Sequence, residues 1–340
     1  MEVPRSQLTT LLNALYDSDN TPISVSHPSD DIGELLRIDL DEAGRGTVRL
    51  AKDLDAYGEA RSAVNSEHSE PAISELPHPQ SYLRAFLAGG LLSVANEDAL
   101  RGFLDSNGYR DLNAGHRPVV AGFDTNLLPW RIATVLGLTP GRDSAVNGFA
   151  LANGVLDELE WGSKRKDTQS LAEAFGPAFE ELWNQSAGSS REGRLGQLHY
   201  RQLRDTRYAE EFTSDRGDDE IIDGYAAFQN EGLKDVLLFS NDRDFIENAR
   251  SHRVLAHRVE FPTHLPSTMT GSWAAIQDTL YILTVLFGVL EVPKTTLYGV
   301  WRGKGGMAWH DERLRIDCRS PKLEPLIERD LAIIEAYERT

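Results

Sequence analysis

From Pro118 onward three short apolar runs, "PVVAGF", "FALANG" and "DVLLFS", alternate with stretches of helical pattern. This alternation constrains the fold more than any other feature of the chain. Apolar runs of this length, bounded by turn residues, suit strands buried on both faces. Strands separated by helices need crossover connections, so the central segment is expected to form a parallel sheet. A short edge strand is expected within "RVLAHRVEF". Helices are expected after Asn126, from Gly154 to Trp161, and from Asp218 to about Gln229. Ligands of such sheets sit outside the carboxyl ends of the strands, so the residues that follow each run matter most.

Two of the runs lead straight into acids. Asp124 follows "RPVVAGF", and Asp242 follows "DVLLFSN", with Asp244 two residues further on. Parallel strands bring Asp124 and Asp242 out at the same edge. Two helices beside that edge carry Glu158, in "NGVLDELEW", and Asp219, in "RGDDEIIDGYAAF". Neighbours on a helix point about 100° apart, so only one of Asp157 and Glu158, and one of Asp218 and Asp219, can face the edge. Carboxylates gathered there repel one another and raise each other's pKa in the absence of a cation. They suit an all-oxygen cage for a hard divalent ion, Mg²⁺ or Mn²⁺. Two such ions roughly 4 Å apart activate water and stabilise the leaving oxygen of a phosphodiester. No histidine or cysteine pair has zinc spacing.

Taken in order, "FDTN", "VLDELE", "DDEIID" and "LLFSNDRDF" resemble the acidic blocks of the PIN-domain (PilT N-terminus-like) family of metal-dependent nucleases. The resemblance covers about residues 118–262, less than half of the chain. It implies a three-layer α/β/α core around a central parallel sheet. It also implies that Asp124, Glu158, Asp219 and Asp242 are the catalytic, metal-holding acids, with Asp244 as a frequent extra acid. Asn126 matches the polar residue after the first acid, and Thr125 and Asn241 would give polar support. The implied reaction is hydrolysis of single-stranded RNA with one or two Mg²⁺ or Mn²⁺ ions, leaving a 5′-phosphate and a 3′-hydroxyl. A DNA structure-specific nuclease is a variant of this reading. A non-catalytic PIN module that binds RNA or a protein partner is the alternative, and it predicts metal-dependent stability without cleavage. A phosphatase of the haloacid dehalogenase type would want a second Asp where Asn126 stands. Edge-to-edge pairing in the family makes a homodimer an expectation by resemblance.

The fold class expected is therefore α/β, with a PIN-like core at 116–264 that carries a helical insertion at about 162–215. An N-terminal α+β accessory region, 1–115, precedes it. It contains a hairpin in "IGELLRIDLDEAGRGTVRLAKDL", a loop or linker in "NSEHSEPAISELPHPQ" and two helices. A C-terminal helix-hairpin-helix-like αβ extension, 265–340, follows, with its hairpin turning around Gly303 to Gly306.

Charge narrows the partners. Lys and Arg total 35 against 53 Asp and Glu, a net charge of -18, which argues against a general polyanion-binding surface. A local basic face is the exception. If Leu195 to Tyr208 is helical, Arg194, Arg201 and Arg204 fall within an arc of about 80°, and Tyr200 lies close by. Arg suits bidentate phosphate contacts and Tyr can stack on unpaired bases. With only seven Lys, the acidic surface fits a high-salt cytoplasm, where screening weakens the repulsion. Melting is then expected at higher temperature in molar KCl than in dilute buffer, and an unchanged melting temperature would refute this. The one cysteine, Cys318, leaves no internal disulfide framework. The first residues lack a basic stretch leading into an apolar one, and the longest apolar run, Leu280 to Leu290, is too short to span a bilayer. A cytoplasmic protein without a membrane segment is expected.

Overall fold

Two sheets with opposite hydrogen-bonding habits share the chain in a computed structural model that describes residues 1–18, 20–68, 70–141, 144–159 and 164–338. The first strands are β1 (Glu2–Pro4), β2 (Ile23–Ser26), β3 (Glu34–Leu40) and β4 (Arg45–Leu50). The central ones are β5 (Val119–Phe123), β6 (Gly148–Ala152), β7 (Glu210–Phe212), β8 (Asp235–Ser240) and β9 (Leu255–Arg258). The last are β10 (Thr268–Ser272), β11 (Val289–Val292), β12 (Thr295–Tyr298) and β13 (Arg313–Cys318). The first and last groups form one antiparallel sheet ordered β1-β13-β12-β11-β2-β3-β4-β10, and the central group forms a parallel sheet ordered β7-β6-β5-β8-β9.

The chain accordingly divides into two units. One holds Met1–Leu92, Ser163–Arg191 and His264–Thr340, and the other holds Ser93–Gly162 and Glu192–Thr263. The N-terminal and C-terminal regions expected to be separate share the antiparallel sheet, because β2 pairs with β3 on one side and with β11 on the other. The expected insertion is itself split at Arg191. Local pattern does not encode a strand's partner more than 250 residues away.

In the antiparallel unit the apolar helix Trp273–Phe287 buries Ile276, Leu280, Leu283 and Phe287, and Phe287 packs against Tyr57 and Tyr82. The expected β3–β4 hairpin is present, with Ile38 opposite Val48. The segment expected to be a loop instead contains the end of the helix Leu54–Glu67 and the short helix Glu70–Ile73. Tyr57, Ala60 and Val64 recur at helical spacing and are buried, and Asp53 caps the helix by accepting the Ala56 N–H at 2.9 Å. Burial of that stripe outweighs the Ser- and Glu-rich composition. Near the C-terminus β12 and β13 do pair, Leu297 with Ile316, but their connection holds the helix Gly306–His310 rather than a tight turn.

In the parallel unit every residue of β5 is buried, as a strand covered on both faces by helices must be. Numbered along the chain, its strands lie in the order 3-2-1-4-5, so the winding reverses between β5 and β8. The helix Asp218–Gly232 leads into β8, and the helix Arg243–Ser251 leaves it. Both therefore begin at the carboxyl edge of the sheet. The helix expected to reach Trp161 is described from Asn153 to Leu159, and Glu160 to Ser163 lie outside the described residues. Among the described residues no helix is long and apolar enough to cross a membrane.

Candidate functional site

The reversal of winding between β5 and β8 leaves a crevice at their carboxyl ends, the usual ligand position in an open α/β sheet. Phe123 and Phe239 are level in the ladder, so Asp124 and Ser240 enter the crevice at the same height. The Asp124 N–H still donates to the Phe239 carbonyl, at 2.9 Å. Asp124 is only 4% exposed, and its Oδ2 accepts from the Ser240 hydroxyl at 2.5 Å and from Asn126 Nδ2 at 2.6 Å. Asn126 Nδ2 also lies 3.3 Å from Ser240 Oγ, and its Oδ1 accepts the Asn241 N–H at 3.2 Å. The Ser240 oxygen in turn accepts the Asp242 N–H at 2.9 Å. One hydroxyl therefore ties the first acid to the backbone of the fourth.

Glu158 is held between two elements. Its Oε2 accepts from the Thr125 hydroxyl, and its Oε1 accepts the Gly217 N–H at 3.1 Å. Gly217 stands at φ +108, a backbone conformation that favours glycine, and Asp218 follows it directly. Asp157, on the same helix, is exposed. Burial pushes the Asp124 carboxyl up to about 7, the nearby Asp218 and Glu158 push it further the same way, and the Ser240 and Thr125 hydrogen bonds oppose them. Asp218, although exposed, is raised too, by partial desolvation first and then by Glu158, Asp242 and Asp219. Like charges thus act on one another across the crevice.

Of the two adjacent acids on the helix Asp218–Gly232, Asp218 is the one that acts on Asp124 and is acted on by Glu158. Asp219 instead accepts a hydrogen bond from Asn248 Nδ2 of the neighbouring helix, at 2.6 Å. Asp242 is exposed and caps the helix Arg243–Ser251, its Oδ1 accepting the N–H groups of Asp244 and Phe245 at 2.8 and 3.4 Å. Asp244 is exposed in the first turn of that helix. Asn241 ties the end of β8 to the residue after β9, donating from Nδ2 to the Val259 carbonyl at 2.7 Å.

The expected basic face is broken up. Arg191–Arg207 is a helix, as expected, but Leu195, Leu198, Tyr200 and Leu203 are buried on it. Tyr200 is fully buried, donating toward Glu211 Oε1 at 3.1 Å, so it offers no ring to a base. Arg204 is bound to Asp205 at 2.6 and 3.1 Å, on the last turn, from which the chain enters the amino end of β7. Arg194 donates to Gln197 at 2.7 Å, and Arg201 is half-buried. The spacing of the arginines alone hid the apolar stripe that decides which face turns inward. Two residues not singled out from the sequence fit the role better by position. Arg216 and Arg243 are exposed and immediately flank the Asp218 and Asp242 segments at the carboxyl edge.

Among the described residues, one group of three potential ligands has all its ligand atoms within 4.8 Å of one another, and it is Asp31, Glu67 and His68 of the antiparallel unit. There His68 Nε2 lies 3.2 Å from Asp31 Oδ2, an ordinary surface pair. Among the described residues no three acids of the parallel unit meet that spacing. No family model, no curated protein and no solved structure matches this chain.

Proposed function

We propose that the parallel unit is a PIN-like nuclease core that hydrolyses phosphodiesters with a divalent metal. The observation that carries this reading is Asp124, a nearly buried carboxylate at the winding reversal, raised to about 7 with Asp218 and Glu158 adding to the shift. Burying a carboxylate beside two others is costly without a cation, and the donors are oxygens throughout, which fits Mg²⁺ or Mn²⁺. Asp124, Glu158, Asp218 and Asp242 would hold the ion or ions. When bound, such an ion supplies charge neutralisation at the phosphate and makes water nucleophilic at neutral pH.

The protein's own part is orientation. Ser240 and Asn126 fix one oxygen of Asp124, Thr125 and Gly217 fix both oxygens of Glu158, and the capping bonds fix Asp242. Arg216 and Arg243 are placed to meet phosphate oxygens along the same edge. RNA as the substrate, and a homodimer as the assembly, rest on the resemblance. The test is cleavage of a labelled single-stranded RNA in Mn²⁺, in Mg²⁺ and in EDTA, with the melting temperature followed in parallel. Metal-dependent cutting is the expected result. Metal-dependent stabilisation without cutting of RNA or of a DNA flap would replace the reading by the non-catalytic module, and no response to metal would remove both.

A further inference from the structure

On the β6 side, the ladder of β5 stops one residue short of the site. Val120, Ala121 and Gly122 pair with Gly148, Phe149 and Ala150, whereas on the β8 side pairing runs on to Phe123. The missing rung is occupied by a side chain. The Tyr225 hydroxyl accepts the Phe123 N–H at 3.1 Å and lies 3.1 Å from the Ala150 carbonyl and 3.3 Å from that of Phe123. Tyr225 is fully buried. Its ring lies against the backbone of Gly122, where a Cβ would come within 2.4 Å of Cε1. A phenol is thus set between two parallel strands, one residue before Asp124, its hydroxyl bonded only to backbone groups while its ring packs edge-on against Phe212 at 4.9 Å.

The same helix carries the third acid. From Asp218 to Tyr225 is seven residues, about 20° short of two full turns, whereas from Asp219 it is six, about 120° out of phase. We infer that Tyr225 is a positioning residue. By hydrogen-bonding to the backbone before Asp124, it locks the rotation of the helix Asp218–Gly232 so that Asp218, and not Asp219, faces Asp124 across the crevice. The inference rests on the metal-dependent reading of the site. It accounts for Asp218 acting on Asp124 while Asp219 is held by Asn248.

The test is Mn²⁺ affinity of the full chain by titration calorimetry. For the unaltered background, Asp218→Asn should weaken binding at least about tenfold and Asp219→Asn less than about threefold; Tyr225→Phe should itself cost about tenfold, the scale of losing a group that orients a ligand. In the Tyr225→Phe background the difference between the two Asn variants should shrink, which a loss of general stability would not produce. Faster amide exchange at Phe123 in Tyr225→Phe, with unfolding still cooperative, should accompany it. Gly122→Ala displaces the ring from the strand side and should give the same loss of discrimination. If the unaltered chain binds Mn²⁺ and Tyr225→Phe binds it equally, or keeps the full difference between Asp218→Asn and Asp219→Asn, the inference fails alone. If the unaltered chain binds no Mn²⁺, the metal reading fails and this inference with it.

Discussion

Asp124→Asn is expected to abolish metal-dependent RNA cleavage and, at pH 8 in EDTA, to raise the melting temperature of the protein. Loss of activity should be at least about 10³-fold, since the substitution removes a charge on which the reaction's electrostatics depend. The gain in stability follows from linkage. The carboxyl is raised from 3.8 to about 7 in the folded chain. Between about pH 4 and pH 7 the unfolded chain has therefore released this proton while the folded chain keeps it. Folding takes up a proton in that window, so stability falls as pH rises through it and levels off above pH 7. The full difference corresponds to about 4 kcal/mol. Asn carries no charge and escapes the penalty, and its amide oxygen can still accept from Ser240 and Asn126, which both donate to one oxygen now. In millimolar Mn²⁺ the order should reverse, the unaltered chain gaining stability and Asp124→Asn gaining little. Melting curves at pH 5 and pH 8, with EDTA and with Mn²⁺, check this. A lower metal-free melting temperature for Asp124→Asn at pH 8 would show that the carboxylate is not frustrated.

Glu75→Gln should produce the largest loss of stability in the antiparallel unit. Glu75 and Arg191 are both fully buried and paired, the guanidinium also donating to the carbonyls of Ser186 and Leu286 at 3.3 and 3.1 Å. Arg165 Nη2 reaches the other Glu75 oxygen at 2.8 Å, and the Gly188 N–H donates to it at 3.3 Å. Removing the carboxylate charge leaves Arg191 buried without a counter-ion, which costs about 3–5 kcal/mol. For a unit of roughly 200 residues that is a fall in melting temperature of roughly 6–20 °C. Glu75→Gln combined with Arg191→Met should recover part of it, because no uncompensated charge remains buried and Arg165, partly exposed, can turn to water. Differential scanning calorimetry of the single and double variants decides. A single variant as stable as the unaltered chain would show that the network is solvated in solution. The contacts join Glu75, from early in the chain, to the end of the segment Ser163–Arg191 and to Leu286, so they fasten three separated stretches into one unit.

Sequence by itself pointed to the parallel sheet, since apolar runs such as "PVVAGF" and "DVLLFS", short, bounded by turn residues and separated by helical pattern, suit strands covered on both faces. It likewise placed Asp124 and Asp242 at one edge, because parallel strands share a direction and each acid follows its run directly. Only tertiary structure decided which of the neighbours Asp218 and Asp219 faces that edge. The choice depends on helix rotation, and the contact that opposes rotation, the Tyr225 hydroxyl on Phe123, joins residues 102 apart. Ser240 belongs with it, since a serine ending a strand has no distinctive signal until its partners, Asp124 and the Asp242 N–H, are in place. Along the helix Arg191–Arg207 the spacing of the arginines does not decide which face is outward; the buried stripe of Leu195, Leu198, Tyr200 and Leu203 does. The antiparallel sheet was out of reach altogether. Strand pairing is set by hydrogen bonds between segments brought together from both ends of the chain, and no local periodicity records which edge meets which.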